Sequence, residues 1–330
     1  MRRVVLAASA VAAMSFVAFV TFGLSFDPTY PLRISPDQKP RRFVLHYYHL
    51  SDPILSRYWR WVRGLFAHGF GTTVSTSTTG TPLHLASPGD PIGPAIWHGA
   101  AITAQLIAFA LLLTLLGSVA VGVYSARRPY ARLDVPRAST YLLASMPTFL
   151  IGYLLRRGAV GQLQFHFVNG VPQYESHGAF AVGAPTGGFV DWFQHMTLPA
   201  VALALGLIGV YARYVRTAML ASLGEQYTTV ARAKGLPEWR VVFRHALRNS
   251  LIPLTSLLSL EMGAVVSASL AADAVFNLGG LAGTFLGGFA QADPFEMTAL
   301  VVVTAIVVAG FLLLSDLLVG VLDPRARVAA

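Results

Sequence analysis

The chain has 330 residues, of which 55% are hydrophobic and only 12% charged, and its mean hydropathy is +0.59. This composition excludes an ordinary soluble protein and predicts an integral membrane protein. The net charge of +9 and the pI near 10.1 would suit nucleic-acid binding, but no module that interleaves basic and aromatic residues is visible, so we assign the basic residues to membrane topology and predict no nucleic-acid partner.

The first predicted membrane helix is Val4–Leu24, an apolar run that follows Arg2 and Arg3 and has the ~20 residues needed to cross a bilayer. A secretory signal peptide begins in the same way. The run is long, however, and no small-x-small cleavage site follows it, so we predict an uncleaved helix over residues 1–24.

A long polar segment follows the first helix. Residues 25–99 are rich in proline and aromatic side chains, and we predict an extracytoplasmic loop that packs on the membrane face. Within this loop, Pro53–Phe70 mixes tyrosine, tryptophan and arginine at helical spacing. That pattern is typical of an amphipathic helix lying in the membrane interface.

Residues 100–322 form the predicted transmembrane domain, and residues 323–330 form a short tail. Pro147 is expected to kink the third span, which Arg156 and Arg157 then end early. The outer connections are predicted at 158–195 and at the glycine-rich stretch 276–294. The five further spans are Ala100–Tyr124, Ala138–Leu155, Thr197–Ala218, Ile252–Ala272 and Ala299–Leu322.

The distribution of basic residues predicts the orientation. With the N-terminus inside, 15 of the 24 lysine and arginine residues fall on the inner side, 2 in short outer connections and 7 in the long loop. Loops longer than about 60 residues are exempt from the positive-inside rule. We therefore predict that both termini and the segment around residue 235 are cytoplasmic.

That segment, Gly224–Pro253, is the longest charged run in the chain. Tyr227–Lys234 is rich in helix formers, Gly235 can adopt the left-handed conformation that ends a helix, and Pro237 suits the start of the next one. The sequence therefore predicts two helices joined by a tight corner near Leu236.

The second of these helices should be amphipathic. Arg240, Arg244 and Arg248 recur every four residues and form one basic stripe. Its predicted apolar face consists of Trp239, Val242, Phe243 and Ala246. Two functions fit such a helix: docking to a partner, or lying against anionic lipid headgroups.

Three short motifs carry a family resemblance. Val230-Ala-Arg-Ala-Lys-Gly235, Arg244-His-Ala-Leu-Arg-Asn249 and Ile252-Pro253 closely resemble the coupling loop of binding-protein-dependent ABC importer permeases, in the B-type oligopeptide and dipeptide (peptide/nickel) branch. The wider family has a Glu-Ala-Ala triplet where this chain has Thr229-Val230-Ala231, and an Ile-x-Leu-Pro motif where it has His245–Arg248. The peptide branch departs from the wider family in the same direction.

The resemblance implies an all-α integral membrane fold of the type I importer permease kind, with six transmembrane helices and a cytoplasmic coupling helix. The coupling loop would cover residues 220–252. Gly235 would permit the corner, Ala231 and Ala233 close packing, and the arginine stripe charge-assisted contacts. The loop residues with an implied role are Ala231, Ala233, Lys234, Gly235, Glu238, Arg240, Arg244, His245 and Arg248.

The resemblance also implies partners and a mechanism. In a bacterial-type plasma (inner) membrane, two ATPase subunits, a second homologous permease and an extracytoplasmic substrate-binding protein would cooperate with this chain in alternating access. The implied cargo is a dipeptide or oligopeptide, although glutathione and nickel importers share the pattern. Whether the second permease is a different chain stays open.

The motifs of ATP binding and enzyme catalysis are absent from the sequence. Its two lysines, Lys39 and Lys234, do not follow glycine, so there is no Walker phosphate loop. No metalloprotease, serine-hydrolase or EF-hand spacing occurs, and the lack of cysteine excludes disulfides and thiolate metal sites. We therefore predict a non-enzyme without a cofactor of its own, with ATP and Mg²⁺ in the partner subunits.

Glu261 is the one acid near the middle of a predicted span, where acidic side chains are costly. It could line the pathway together with Pro147, or be a protonated and hydrogen-bonded packing residue. Two rival functions follow: a proton-coupled secondary carrier that uses Glu261, and a membrane scaffold without transport. Asp273 and Asp316, closer to span ends, are expected to be interfacial.

Overall fold

The computed structural model describes residues 2–27, 29, 39–68, 70, 72, 91–127, 135–159, 164–168, 171–175, 180–185, 187–290 and 293–322. The predicted tail, 323–330, lies outside these ranges. The elements are α1 (Arg2–Ser25), α2 (Lys39–Tyr47), α3 (Ile54–His68), α4 (Ile92–Arg127), α5 (Val135–Ser145), α6 (Thr148–Ala159), β1 (Gln164–Val168), β2 (Val171–Glu175), α7 (Phe189–Gly224), α8 (Gln226–Ala233), α9 (Glu238–Arg240), a π-helix (Val241–Ala246), α10 (Leu247–Phe276), α11 (Leu281–Ala290) and α12 (Pro294–Leu322).

The predicted helical membrane fold class is confirmed. Four helices are long and apolar enough to cross a bilayer, namely Val4–Ser25, Ile92–Arg127, Phe189–Gly224 and Pro294–Leu313. Two bent helix pairs pass the same test, so the described part of the chain holds four to six spans. The predicted count of six is the upper figure, reached when each bent pair is one span.

The third predicted span is a broken helix. Its two halves, in α5 and α6, meet at an angle of 103°. Pro147 lies in the break and has no N–H to donate, but its carbonyl accepts from the N–H groups of Leu150 and Ile151 at 3.0 and 3.2 Å. The predicted kink is therefore a complete break between two helices. Pro147 lies in that break, where it does not disrupt the hydrogen bonds of α6.

Helix α3 is amphipathic, as its sequence predicts, and packs against α1 and α12. The hydroxyl of Tyr58 is hydrogen-bonded to that of Ser15 at 2.8 Å, and Trp61 is buried against Phe19 in a cluster that continues into α12. Arg60 forms an ion pair with Asp52 at 2.7 Å outside this apolar contact. One side of α3 thus joins the core and the other carries charge.

The centre of the molecule is the pair of long helices α4 and α7, against which α5, α6 and α10 pack, while α1 packs on α12. Small residues permit close approach, as is common between membrane helices. A Cβ atom at Gly209 of α7 would lie 2.5 Å from the backbone nitrogen of Ala144 and 2.9 Å from the carbonyl oxygen of Thr140, both in α5. The backbones of α5 and α7 are therefore in direct contact.

The predicted outer connection 158–195 contains a short hairpin that the sequence reading treated as loop. Strands β1 and β2 pair antiparallel, from Gln164 opposite Glu175 to Val168 opposite Val171. Two residues, Asn169 and Gly170, separate the strands in sequence. Asn-Gly between aromatic and β-branched residues is the strongest short hairpin signal, and it was available in the sequence.

The contact at Gly209 yields a stability prediction. Gly209→Ala should lower the unfolding temperature in detergent, because overpacking of a tight contact costs about 1–3 kcal/mol. Gly263→Ala is the matched control, since a Cβ there would meet nothing within 4 Å and alanine favours a helix by about 1 kcal/mol. Equal unfolding temperatures for the two variants would contradict the close approach of α5 and α7.

Candidate functional site

The charged run folds as a helix, a corner and a second helix. Helix α7 ends at Gly224, Glu225 is extended, and α8 follows over Gln226–Ala233. Gly235 is left-handed, with φ of 73°, and Pro237 is the residue immediately before α9, with φ of −66° and ψ of 145°. The predicted corner geometry is confirmed, with the glycine after one helix and the proline before the next.

Backbone hydrogen bonds close the corner. The N–H of Gly235 donates to the carbonyl of Arg232 at 2.9 Å, and that of Leu236 donates to Ala231 at 3.3 Å. These are the two bonds of a Schellman motif, which satisfies the last carbonyl groups of a helix. The motif needs a left-handed residue at Gly235, a conformation that disfavours any side chain with a Cβ.

An ion pair spans the corner. Arg232 donates from Nη2 to Glu238 Oε1 at 2.9 Å and from Nε to Oε2 at 3.2 Å. These hydrogen bonds hold the pKa of the Glu238 carboxyl below its ordinary value and raise the pKa of Arg232. Both side chains are about half exposed, so the pair stabilises the fold by no more than ~1 kcal/mol.

Hydroxyl groups join the corner to the end of α7. Ser222 donates to the carbonyl oxygen of Ala246 at 3.0 Å and is itself hydrogen-bonded to the hydroxyl of Tyr227. Ser250 donates to the same carbonyl at 2.8 Å. Thr228, fully buried, donates to the carbonyl of Leu223 at 2.9 Å. Helices α7 and α8, the π-helix and α10 are thus held together by side-chain bonds to backbone groups.

The π-helix corrects the predicted apolar face. Val242 and Ala246 are buried against Val215 and Met219 of α7 and against the end of α4. Trp239 and Phe243, predicted on that face, are 60% and 51% exposed. The Leu247 N–H bonds to the Val242 carbonyl five residues back, and this wider turn breaks the regular helical spacing on which the prediction relied.

The exposed side of the corner combines aromatic and basic groups. The guanidinium of Arg240 lies over the Trp239 ring, 5.2 Å from its centroid. Ala231 is buried, His245 is half-buried, and the other predicted loop residues are exposed: Ala233, Lys234, Gly235, Glu238, Arg240, Arg244 and Arg248. The stripe of three arginines, predicted from four-residue spacing, therefore faces outward beside Trp239 and Phe243. We call this surface, Trp239, Arg240, Phe243, Arg244 and Arg248, the corner surface.

The two predicted pathway residues lie apart from the corner. Glu261 is half-buried on α10 and accepts a hydrogen bond from the hydroxyl of Tyr211 at 3.3 Å. Pro147 is exposed in the break between α5 and α6. In the described ranges, no three His, Asp or Glu side chains are grouped so that they could hold a metal ion.

Asp273, expected to be interfacial, lies inside the protein in the last turn of α10. Its side chain is 1% exposed and accepts from the N–H of Gly280 at 3.2 Å and from that of Ala282 at 2.8 Å. It therefore caps α11, which meets α10 at 75°. In the sequence, the pair Gly279-Gly280 follows Asp273 by six and seven residues, a spacing that could have predicted such a turn. The side chain of Asp316 lies outside the described residues.

Comparison with known proteins gives similarity along nearly the whole chain. The family model of binding-protein-dependent transport system inner membrane components matches residues 118–328. The oligopeptide transport system permease protein OppB of Mycobacterium tuberculosis is 29% identical over 322 residues, which is 96% of this chain and 94% of the relative. The oligopeptide transport system permease protein AppB of Bacillus subtilis is 27% identical over 327 residues, 98% and 97% of the two chains. The dipeptide transport system permease protein DppB of Escherichia coli is 35% identical over 147 residues, 44% and 43%.

The ion pair across the corner yields a pH prediction. Because the pKa of Glu238 is lowered in the folded chain, its stabilisation is present above the ordinary carboxyl pKa and is lost as pH falls through the folded value. The chain has no cysteine, so spin labels at Thr229→Cys and Asn249→Cys report the corner alone. The distance distribution between them should broaden at acidic pH.

Glu238→Gln should produce the same broadening at neutral pH. Glu225→Gln, a change of the same kind in an exposed acid at the start of α8, should leave the distribution narrow. An unchanged distribution in Glu238→Gln would mean that the ion pair does not hold the corner.

Proposed function

The chain belongs to the family of binding-protein-dependent transport system inner membrane components, and from that membership we propose the roles of its surfaces and its cargo. It is a permease subunit of an ABC importer, a multi-pass protein of the inner membrane, and it is not itself an enzyme. We propose that the cargo is a peptide. Relatives named as oligopeptide permeases that align along nearly the whole chain support this assignment.

The proposed docking site for the ATPase is the corner. Three features support it: a backbone fixed by the Schellman bonds, a hydroxyl network that joins it to α7, and the outward-facing corner surface. A short helix with aromatic and arginine side chains suits a groove in a partner protein. Arg240, Arg244 and Arg248 would pair with acidic groups there, since arginine makes charge-assisted bonds in a rigid fork.

The complete importer requires other chains. We propose two ATPase subunits that bind ATP and Mg²⁺, a second homologous permease that completes the pathway, and an extracytoplasmic binding protein that delivers the peptide. Both termini and the corner would face the cytoplasm, as the excess of basic residues on that side predicts. Closure of the ATPases would then move the two corners together and open the pathway outward.

The corner is placed to transmit that movement. Val242 and Ala246 pack on Val215 and Met219, so the start of the second helix contacts α7 and α4 directly. Packed side chains are close to incompressible. A displacement of the corner would therefore move the inner ends of these helices with it.

Gly235 provides the sharpest test of the docking site. Gly235→Val places a β-branched residue at φ of 73°, which costs about 1–2 kcal/mol and should reduce ATPase co-purification and ATP-driven peptide uptake by about tenfold. Gly224→Val is the control, because Gly224 has ordinary φ and open space around its Cα. Undiminished uptake and co-purification in Gly235→Val would refute the docking assignment.

No observation favours the secondary-carrier alternative. A substitution of Glu261 distinguishes a proton-coupled carrier from an ABC permease. Its hydrogen bond from Tyr211 is equally available to a glutamine oxygen, so Glu261→Gln should retain ATP-driven uptake with the wild-type pH profile. Tyr211→Phe removes the hydroxyl that donates to Glu261 and serves as a second variant in the same uptake measurement. Uptake that needs a proton gradient in place of ATP, and is lost in Glu261→Gln, would establish the carrier instead.

A further inference from the structure

A small cavity lies between α4, α5 and α7, toward the end of α7 that leads to the corner. Its volume is about 60 Å³, and its polar lining includes Ser125, Tyr141, Arg213 and Arg216. One water molecule occupies about 30 Å³ in the liquid. The cavity therefore has room for a small polar group such as a phosphate, or for a few water molecules.

Three polar atoms at this cavity are buried without a hydrogen-bond partner within the described ranges: Ser125 Oγ and the Nε atoms of Arg213 and Arg216. Ser125 is only 2% exposed. Buried polar groups in native proteins are nearly always hydrogen-bonded. A hydroxyl and two guanidinium Nε atoms without partners around one space indicate that the space takes a ligand with several acceptor oxygens.

The donor set identifies the chemistry of that ligand. Guanidinium groups bind phosphate through charge-assisted hydrogen bonds in a planar fork, and a serine hydroxyl adds a further donor. The Tyr141 ring lies 5.3 Å from the Arg213 guanidinium carbon and holds that side chain in place. Two cations and no acid in the described lining favour an anion whose negative charge is shared by two or more oxygens.

The level of the cavity in the membrane identifies the source of the phosphate. Residues 192–212 of α7 contain no Asp, Glu, Lys or Arg, and Arg213 ends that stretch. Twenty-one residues at 1.5 Å each span about the 30 Å of a hydrocarbon core. Exposed tyrosines stand at the same end of the helices, Tyr124, Tyr141 and Tyr214, as at membrane interfaces. Headgroup phosphates lie at this depth.

We propose that this cavity is a specific site for the phosphate of an anionic phospholipid in the leaflet next to the corner. Arg213, Arg216 and Ser125 donate to the phosphate, while the exposed Tyr141 and Leu142 of α5 contact the acyl chains. Basic pockets between membrane helices on the cytoplasmic side bind lipid headgroups in this way. The bound phosphate connects α4, α5 and α7 close to the corner.

The test uses the full chain, purified with its partner subunits, in nanodiscs of phosphatidylcholine with or without phosphatidylglycerol. Wild-type protein should retain phosphatidylglycerol in native mass spectrometry and unfold at higher temperature when that lipid is present. The variants Arg213→Gln and Ser125→Ala should each fail to retain the lipid and should show no increase in unfolding temperature when it is present. Arg157→Gln, which removes the same charge at an exposed site on α6, should keep both.

Several outcomes would overturn the proposal. One is an increase in unfolding temperature by phosphatidylglycerol that is as large in Arg213→Gln and Ser125→Ala as in the wild type. Another is an equal loss of lipid retention in Arg157→Gln, which would reveal non-specific charge attraction. A third is saturable stabilisation by inorganic phosphate in pure phosphatidylcholine without lipid retention, because the ligand would then be soluble. Ser125→Ala keeps every charge and replaces only a hydroxyl, so it decides the question even if Arg213→Gln does not fold.

Discussion

The carbonyl oxygen of Ala246 is the group on which the corner depends. In a regular helix it would accept one backbone N–H; here it also accepts the hydroxyls of Ser222 and Ser250, from α7 and α10. The Ser250 bond reaches back four residues, as serine hydroxyls often do in helices. Val242 and Ala246 close an apolar contact with α7. The corner therefore has a fixed position on the membrane helices, as the proposed docking of an ATPase would require.

A second constraint comes from the bilayer, where every backbone N–H must find an acceptor. Two helix pairs are bent at a break, and each break has its own solution. Between α5 and α6 the carbonyl of Pro147 accepts from Leu150 and Ile151, and between α10 and α11 Asp273 accepts from Gly280 and Ala282. Asp273 is thus a structural component of a bent helix pair, and its carboxyl oxygens are directed at backbone donors.

The local features could be predicted from sequence, and the non-local ones could not. Gly235 and Pro237 specify the corner within a few residues, and the apolar runs locate the spans. The burial of Asp273 depends on Thr103 and α4, which are distant in sequence. The exposure of Trp239 and Phe243 follows from a π-helix stabilised by Ser222 of another helix. The β1–β2 hairpin and the turn after Asp273 did have local sequence signals, Asn169-Gly170 and Gly279-Gly280.

The length of α7 has a mechanical consequence. It is one helix of 36 residues, Phe189–Gly224, with Pro199 inside it. Near its two ends lie Ser222, in the hydroxyl network, and Trp192, whose indole N–H donates to Gln105 of α4 at 2.6 Å. At 1.5 Å per residue these two positions are about 45 Å apart. Were α7 to tilt about the end held at the corner, the displacement of each residue would grow with its distance from that end and be largest near Trp192. Such a tilt would reach α4 through the hydrogen bond between Trp192 and Gln105.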